Sequence, residues 1–221
     1  MCWNYEHYTS LLKKISQPIF CLVFSLWAVI GLSQTKMSTT EANTLKTTVK
    51  SLADKTETIT SDFTQYKHLD FLSNDIESSG KLAFMAPNLV KWEYIAPFAY
   101  AIIFKDKTIF INDGGNKSNI DVGGNKLFEQ LNHLIASSIR GDMFDDEKFD
   151  ISFFKENGQS LVHFMPKDPK FAEFINAFHI KFNEIGEVEE VKMIEPSGDY
   201  TQIVFNNRKT NQPLSDADFT H

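Results

Sequence analysis

The side chains capable of acid, base or metal chemistry are scattered along this chain. The histidines after residue 33 have no pair at the three- or four-residue spacing that places two ligands on one helical face; they are His68, His133, His163, His179 and His221. The acidic run 142–150 lacks the oxygen pattern and central glycine of an EF-hand loop, so we expect a solvated loop. His163 and His179 fall in strand patterns that are typical of ordinary hydrogen-bonded histidines. The sequence therefore predicts no metal site.

Nucleophilic and phosphate-binding motifs are equally weak. There is no Gly-x-Ser-x-Gly elbow, and the serines, histidines and aspartates are too dispersed to suggest a triad. The pairs Gly114-Gly115 and Gly123-Gly124 lack the spacing of a nucleotide fingerprint and indicate turns. We predict a binding protein rather than an enzyme, with a cryptic hydrolase as the least favoured alternative.

Apolar side chains carry the strongest pattern, in a hairpin over 80–97. Leu82 and Phe84 share one face of its first strand, and Val90, Trp92 and Tyr94 share one face of its second, because side chains alternate with a period of two. The strand over 100–105 alternates ambiguously, with either its even or its odd apolar residues facing inward. Such an aromatic interior either packs solid or admits a hydrophobic guest. Periodicity does not separate the two outcomes, and the pattern alone favours a solid core.

Short strands dominate the rest of the chain. Amphipathic spacing predicts a helix over 41–59 and a second over 126–139, where Leu131 and Ile135 share a stripe, and a third short helix is expected over 169–176. Strand patterns occur at 62–69, 76–85, 89–95, 100–105, 108–112, 149–155, 160–165, 177–184, 188–195 and 200–207. Tight turns between them predict antiparallel neighbours.

The first 33 residues have the layout of a secretory signal peptide. Lys13 and Lys14 precede an apolar run that is shorter than the ~20 residues a membrane-spanning helix needs. Both cysteines, Cys2 and Cys21, lie in this segment, so the exported product would have no disulfide. We expect a single soluble domain over 34–221; the alternative is an uncleaved membrane anchor. The formal charge of −7 argues against nucleic acid as a partner.

Two motifs resemble those of the periplasmic lipoprotein carrier family (LolA-like). They are Asp62-Phe63-Thr64-Gln65 and the stretch 80–97, with its Gly-x-Leu, Pro-Asn turn, Trp and Pro. The resemblance implies a mainly β (α+β) fold, an incomplete antiparallel β-barrel (half-barrel) wrapped around short helices that form a lid. It also implies a periplasmic monomer that shelters lipoprotein acyl chains, without a cofactor, between an inner-membrane lipoprotein release complex and an outer-membrane receptor.

The family resemblance also suggests site residues. A hydrophobic cargo cavity would be formed by Leu82, Phe84, Val90, Trp92, Tyr94, Phe104, Leu131 and Ile135. The turn at Ala86 and Pro87 departs from the family, whose members place a lid-latching arginine before Pro-Asn, and Lys91 is the nearest substitute. The departure leaves room for another cargo, such as a glycolipid or polyene precursor. An envelope-stress sensor of the same fold is a further alternative.

Overall fold

The structure, a computed structural model, describes residues 34–105, 108–121 and 142–220. The chain divides into two compact units, Met1–Thr35 and Lys36–His221. The first lies almost wholly outside the described residues, as does the predicted signal peptide 1–33. The predicted helix over 126–139, with Leu131 and Ile135, also lies outside them.

The described residues form one antiparallel sheet of 12 strands. The strands are β1 (Thr35–Lys36), β2 (Thr58–His68), β3 (Ile76–Met85), β4 (Leu89–Ala96), β5 (Tyr100–Lys105), β6 (Thr108–Asp113), β7 (Asn116–Asp121), β8 (Phe149–Glu156), β9 (Gln159–Pro166), β10 (Ala177–Phe182), β11 (Val188–Ile194) and β12 (Tyr200–Thr210). Their order is β1-β8-β9-β10-β11-β12-β2-β3-β4-β5-β6-β7, and β7 does not pair with β1. The sheet is therefore an open, incomplete barrel, which confirms the predicted fold class.

The register gives the sheet two distinct faces. Phe63 pairs with Phe205 on β12, and Leu82 pairs with Trp92, which pairs in turn with Ile102. Continued across the sheet, this ladder defines an inner face, which includes Ile180 and its partner Val162 on β9. The ambiguity in β5 is thereby resolved: Ile102 and Phe104 face inward, and Ile103 faces outward.

The helix α1 (Thr39–Ala53) packs on the inner face. Ser38 caps its first turn in a reciprocal capping box with Glu41, and this contact lowers the pKa of the Glu41 carboxyl. Leu45 and Val49 are buried in a cluster with sheet residues such as Phe182. The helix was predicted to continue to residue 59 but ends at Ala53, because the β-branched run from Thr58 pairs along β3 over ten residues.

The carboxyl-terminal segment covers part of the outer face. A 3₁₀ helix over Asp216–Phe219 buries Phe219 to 4% exposure, in a cluster with Leu89 and Ile103. This explains why Ile103, on the opposite face from the aromatic ladder, is nevertheless buried.

Two smaller features differ from the sequence-based expectation. The third helix is a single turn, α2 (Pro169–Ala172), capped by Asp168. Strand β7 was not predicted, because all six of its residues are exposed and none shows apolar alternation. No helix in the described ranges has the length and apolarity needed to span a membrane.

Candidate functional site

A cavity of about 280 Å³ lies between α1 and the inner face of the sheet. Its walls are formed by α1, by the segment that joins α1 to β2, and by β2 and strands on both sides of β2 in the sheet. The lining residues described are Val49, Leu52, Ala53, Thr56, Ile59, Ser61, Gln65, Leu82, Trp92, Tyr94, Ile102, Phe104, Met143, Phe164, Phe178, Ile180, Gly186, Val188, Val191, Met193, Ile203, Phe205 and Arg208. Most are apolar, so this space favours a hydrophobic guest.

The predicted cargo residues fall into three groups. Leu82, Trp92, Tyr94 and Phe104 line the cavity. Phe84 and Val90, at 1% and 0% exposure, lie behind this lining, packed in the core cluster of the β2–β5 half of the sheet. Leu131 and Ile135 are outside the described residues.

An aromatic platform supports the cavity wall. Phe63 is buried to 1% exposure and meets Trp92 edge-on at 4.9 Å between ring centroids, and Tyr94 at 5.1 Å. The Tyr94 hydroxyl donates a hydrogen bond of 3.0 Å to Gln65 Oε1, and burial raises the pKa of that phenol. Two residues of the Phe-Thr-Gln motif thus hold the two large side chains of the Trp-Glu-Tyr segment in place.

The hairpin of β3 and β4 carries the turn residues Ala86 and Pro87 and the predicted latch substitute Lys91. Ala86 and Pro87 are exposed, and the Ala86 amide donates to Glu57 O at 2.8 Å. Lys91 extends from the face opposite Trp92, where its ammonium lies 3.5 Å from Glu93 Oε1. Its side chain therefore leaves the sheet on the side away from α1.

Other contacts hold α1 at the cavity. A Cβ added to Gly186 would lie 3.1 Å from Thr48 Cγ2, so the β10–β11 turn approaches the helix closely. The Asn211 side chain donates to Lys55 O and accepts from the Glu57 amide, which fixes the segment after α1. Lys50 pairs with Asp142 and Asp54, and these hydrogen bonds raise the pKa of the Lys50 ammonium.

Sequence reasoning missed Arg208, the only charged side chain among the described cavity-lining residues. Asn206 pairs with Asp62 on the outer face, and strict alternation would put residue 208 on that face as well. The register shifts between Asn206 and Lys209, where two residues oppose Ser61, and Asn207 has φ +53°. This β-bulge turns Arg208 inward. A positive-φ asparagine is only a weak signal for a bulge in sequence.

The surroundings of Arg208 are poorly matched to its charge. Its side chain is 21% exposed, and its nearest described acid is Glu187, whose Oε1 lies 3.4 Å from Nε without the alignment of a hydrogen bond. Nε is buried and makes no hydrogen bond with the described residues. Burial lowers the pKa of Arg208, and Glu187 opposes this shift.

The strands that form the cavity lie in a segment that matches a known protein family. Residues 54–221 match the model of the family described as "Outer membrane lipoprotein carrier protein LolA". The chain belongs to the LolA family. The match includes β2–β12, and hence the platform, the hairpin and Arg208, whereas α1 precedes it. The LolA family is named for carriage of lipoproteins, which is a binding function.

Individual LolA relatives are similar over most of their length. An outer-membrane lipoprotein carrier protein of Azotobacter vinelandii is 28% identical over 170 residues, which cover 76% of this chain and 79% of that protein. That of Pseudomonas aeruginosa strain PAO1 is 28% identical over 171 residues with the same coverage. A chain in the complex structure of Pseudomonas aeruginosa MucA/MucB aligns with a TM-score of 0.50 and 10% identity, covering 82% of this chain and 61% of that one. At this identity the likeness to the MucA/MucB chain concerns the fold alone.

The described ranges bring together no set of side chains that could form a metal site. No group of three or more histidine, cysteine, aspartate or glutamate side chains there could hold a metal ion. His163 and His179 do meet, with ring centroids 3.6 Å apart, but they stack face to face on the outer face of β9 and β10.

Proposed function

We propose that this protein is a periplasmic carrier that shelters the acyl chains of lipoproteins and moves them from the inner to the outer membrane. The observation that carries this proposal is the apolar cavity between α1 and the inner face. Family membership and the names of the relatives support the same function. In this proposal residues 1–33 direct export and the domain acts as a monomer, as a binding protein without catalysis.

The volume of the cavity favours a ligand site over a packing defect. Protein interiors contain few voids larger than a water molecule, whereas this space is about 280 Å³. Ligand pockets usually begin at about 300 Å³. Each methylene moved from water into such a space contributes about 0.8 kcal/mol, so a single acyl chain supplies enough free energy for carriage.

Loading a long acyl chain requires the cavity to enlarge. Val49, Leu52 and Ala53 form the helical side of its wall. The ion pairs of α1 with Asp142 and Asp146 are largely exposed, so each contributes little stability. We propose that α1 is the element that moves and that an inner-membrane release complex and an outer-membrane receptor drive the exchange. Ala86 has no side-chain donor, so the contacts of Asn211 and Gly186 would replace an arginine latch.

Trp92 offers a direct test of cavity binding. The chain has three tryptophans, Trp3, Trp27 and Trp92. With Trp3 and Trp27 changed to phenylalanine, energy transfer from Trp92 to bound cis-parinaric acid should report occupation of the cavity. Carriage of acyl chains would be contradicted if no energy transfer to cis-parinaric acid occurred and if lipopeptides displaced none of this probe.

The transport role needs a cellular test. Depletion of the protein followed by membrane fractionation should leave lipoproteins in the inner membrane. Normal sorting together with lipid binding in vitro would instead favour a carrier of another lipid. A protein that binds no lipid but captures an envelope regulator would be a sensor.

A further inference from the structure

We infer that Arg208 makes the cavity a site for an anionic amphiphile, with the carboxylate or phosphate head at Arg208 and the acyl chain along Phe205 and Trp92. This inference rests on the proposed function and specifies the ligand class of the same cavity. Phe205 and Trp92 lie 6.0 Å apart between ring centroids and both line the cavity beside Arg208.

Arg208 is incompletely paired for a charged side chain that is largely removed from water. A charged group removed from water is costly unless it is paired and hydrogen-bonded. Arg208 has one ionic partner among the described residues, Glu187, and its buried Nε lacks a hydrogen bond. A guanidinium carries five donors in a planar fork, so the site has capacity for a further acceptor.

Glu187 faces the Nε atom of the Arg208 guanidinium. Glu187 is held in place by Asn183, whose Nδ2 donates to Glu187 Oε2 at 3.1 Å and whose Oδ1 accepts from the Glu187 amide at 2.9 Å. The carboxylate is thus fixed on the Nε side of Arg208. A ligand carboxylate or phosphate can approach the terminal nitrogens, where arginine forms its strongest, bidentate contacts.

The position of Arg208 sets the direction of the ligand in the cavity. Arg208 lies opposite Ser61, near the start of β2, and both residues line the cavity. The apolar side chains Trp92, Ile203 and Phe205 continue the lining from there along the inner face. A polar end beside an apolar wall matches a molecule with a charged head and a hydrocarbon tail.

The test compares ligands that share a chain and differ in head. Displacement of the neutral probe N-phenyl-1-naphthylamine would be measured at pH 8 with palmitate, 1-palmitoyl lysophosphatidate and hexadecanol. We expect the anions to bind about tenfold or more tightly than hexadecanol, because a hydrogen bond to a charged group contributes about 1.5–3 kcal/mol, which corresponds to tenfold or more. The stronger of the two anions identifies the head group as carboxylate or phosphate.

Variants separate the role of Arg208 from general charge. Arg208→Gln should abolish the preference for anions and leave probe and hexadecanol binding intact, whereas the exposed neighbour Lys209→Gln should retain the preference. Glu187→Gln should tighten palmitate binding several-fold, because a competing carboxylate is removed. Equal binding of palmitate and hexadecanol by a protein that binds the probe would overturn this inference and leave the proposed function standing. A protein that binds none of these molecules would overturn both.

Discussion

Gly80 lies directly opposite Phe63 in the β2–β3 ladder, beneath the Phe63 ring. A Cβ at residue 80 would be 2.8 Å from Phe63 Cζ and 2.1 Å from the carbonyl oxygen of Glu93. Because Gly80 has no side chain, the strand can form the bulge between Ser79 and Gly80, and the Phe63 ring can pack directly against the backbone at this position.

We predict that Gly80→Ala destabilises the protein by about 2–4 kcal/mol, because the backbone of β4 and the Phe63 ring must both shift. Ser118→Ala, at an exposed strand position, is the matched control and should change stability by less than about 0.5 kcal/mol. Urea unfolding followed by far-UV circular dichroism measures both. Equal stability of Gly80→Ala and the wild type would contradict the close approach of the two strands.

A charge at Trp92 should have a different effect from a charge at Val90. Trp92 lines the cavity, so Trp92→Glu can be solvated in the empty protein and should leave it folded while abolishing acyl-chain binding. Val90 is fully buried behind the wall, so Val90→Glu should unfold the protein. Circular dichroism with N-phenyl-1-naphthylamine binding separates the two results, and unfolding of Trp92→Glu would indicate a solid interior there.

The outer-face contact of Phe219 should contribute stability without affecting the cavity. Phe219→Ala removes a ring buried against Leu89 and Ile103, so we expect a loss of about 3 kcal/mol in the free energy of unfolding. Phe174→Ala, at a side chain that is 53% exposed, should cost little. The affinity for N-phenyl-1-naphthylamine, measured at low denaturant concentration, should be unchanged in both variants. A loss of this affinity in Phe219→Ala alone would show that the carboxyl-terminal segment influences the cavity.

The stacked histidines predict a pH dependence of stability. Burial, and then His163 and Lys192, lower the pKa of His179 to about 4 against the opposing effect of Glu156, and burial also lowers the pKa of His163. The folded protein binds fewer protons than the unfolded chain below pH 6.5, so the free energy of unfolding should fall between pH 6.5 and 4. Because the rings are only partly buried, we expect His179 to account for roughly 1 kcal/mol of this loss.

The measurement is urea unfolding across this pH range for the wild type and His179→Gln. The variant should show a shallower decline in stability with falling pH, because it has one fewer group to protonate on unfolding. Identical slopes would show that the stacked pair does not contribute.

The sequence predicted the fold wherever one side of a strand was apolar. The hairpin of β3 and β4 was located within a residue of its observed bounds because Leu82, Trp92 and Tyr94 alternate clearly. Strand β7 gave no signal, since its pairing depends on backbone hydrogen bonds and its side chains are all exposed. Helix α1 was overextended because Leu52 and Ile59 fit a helical period, whereas pairing with β3 takes Ile59 into the sheet.

Site prediction was limited by what alternation reveals. A period of two assigns a face, and it correctly grouped Phe84 and Val90 with Trp92, but it does not distinguish a side chain on the cavity wall from one packed behind it. That difference depends on where α1 sits across the sheet. Arg208 was missed because the bulge at Asn207 reverses the alternation, and only the register with Ser61 reveals the reversal.

The open edge of the sheet has a consequence for behaviour at high concentration. A half-barrel leaves a terminal strand whose backbone could template fibril growth from one molecule to the next. Of the two terminal strands in the described sheet, β1 has only two residues, and β7 is Asn-Lys-Ser-Asn-Ile-Asp, which is hydrophilic and bears charges of both signs. Its hydrophilic composition discourages self-association, so the fold can keep its interior accessible without polymerising.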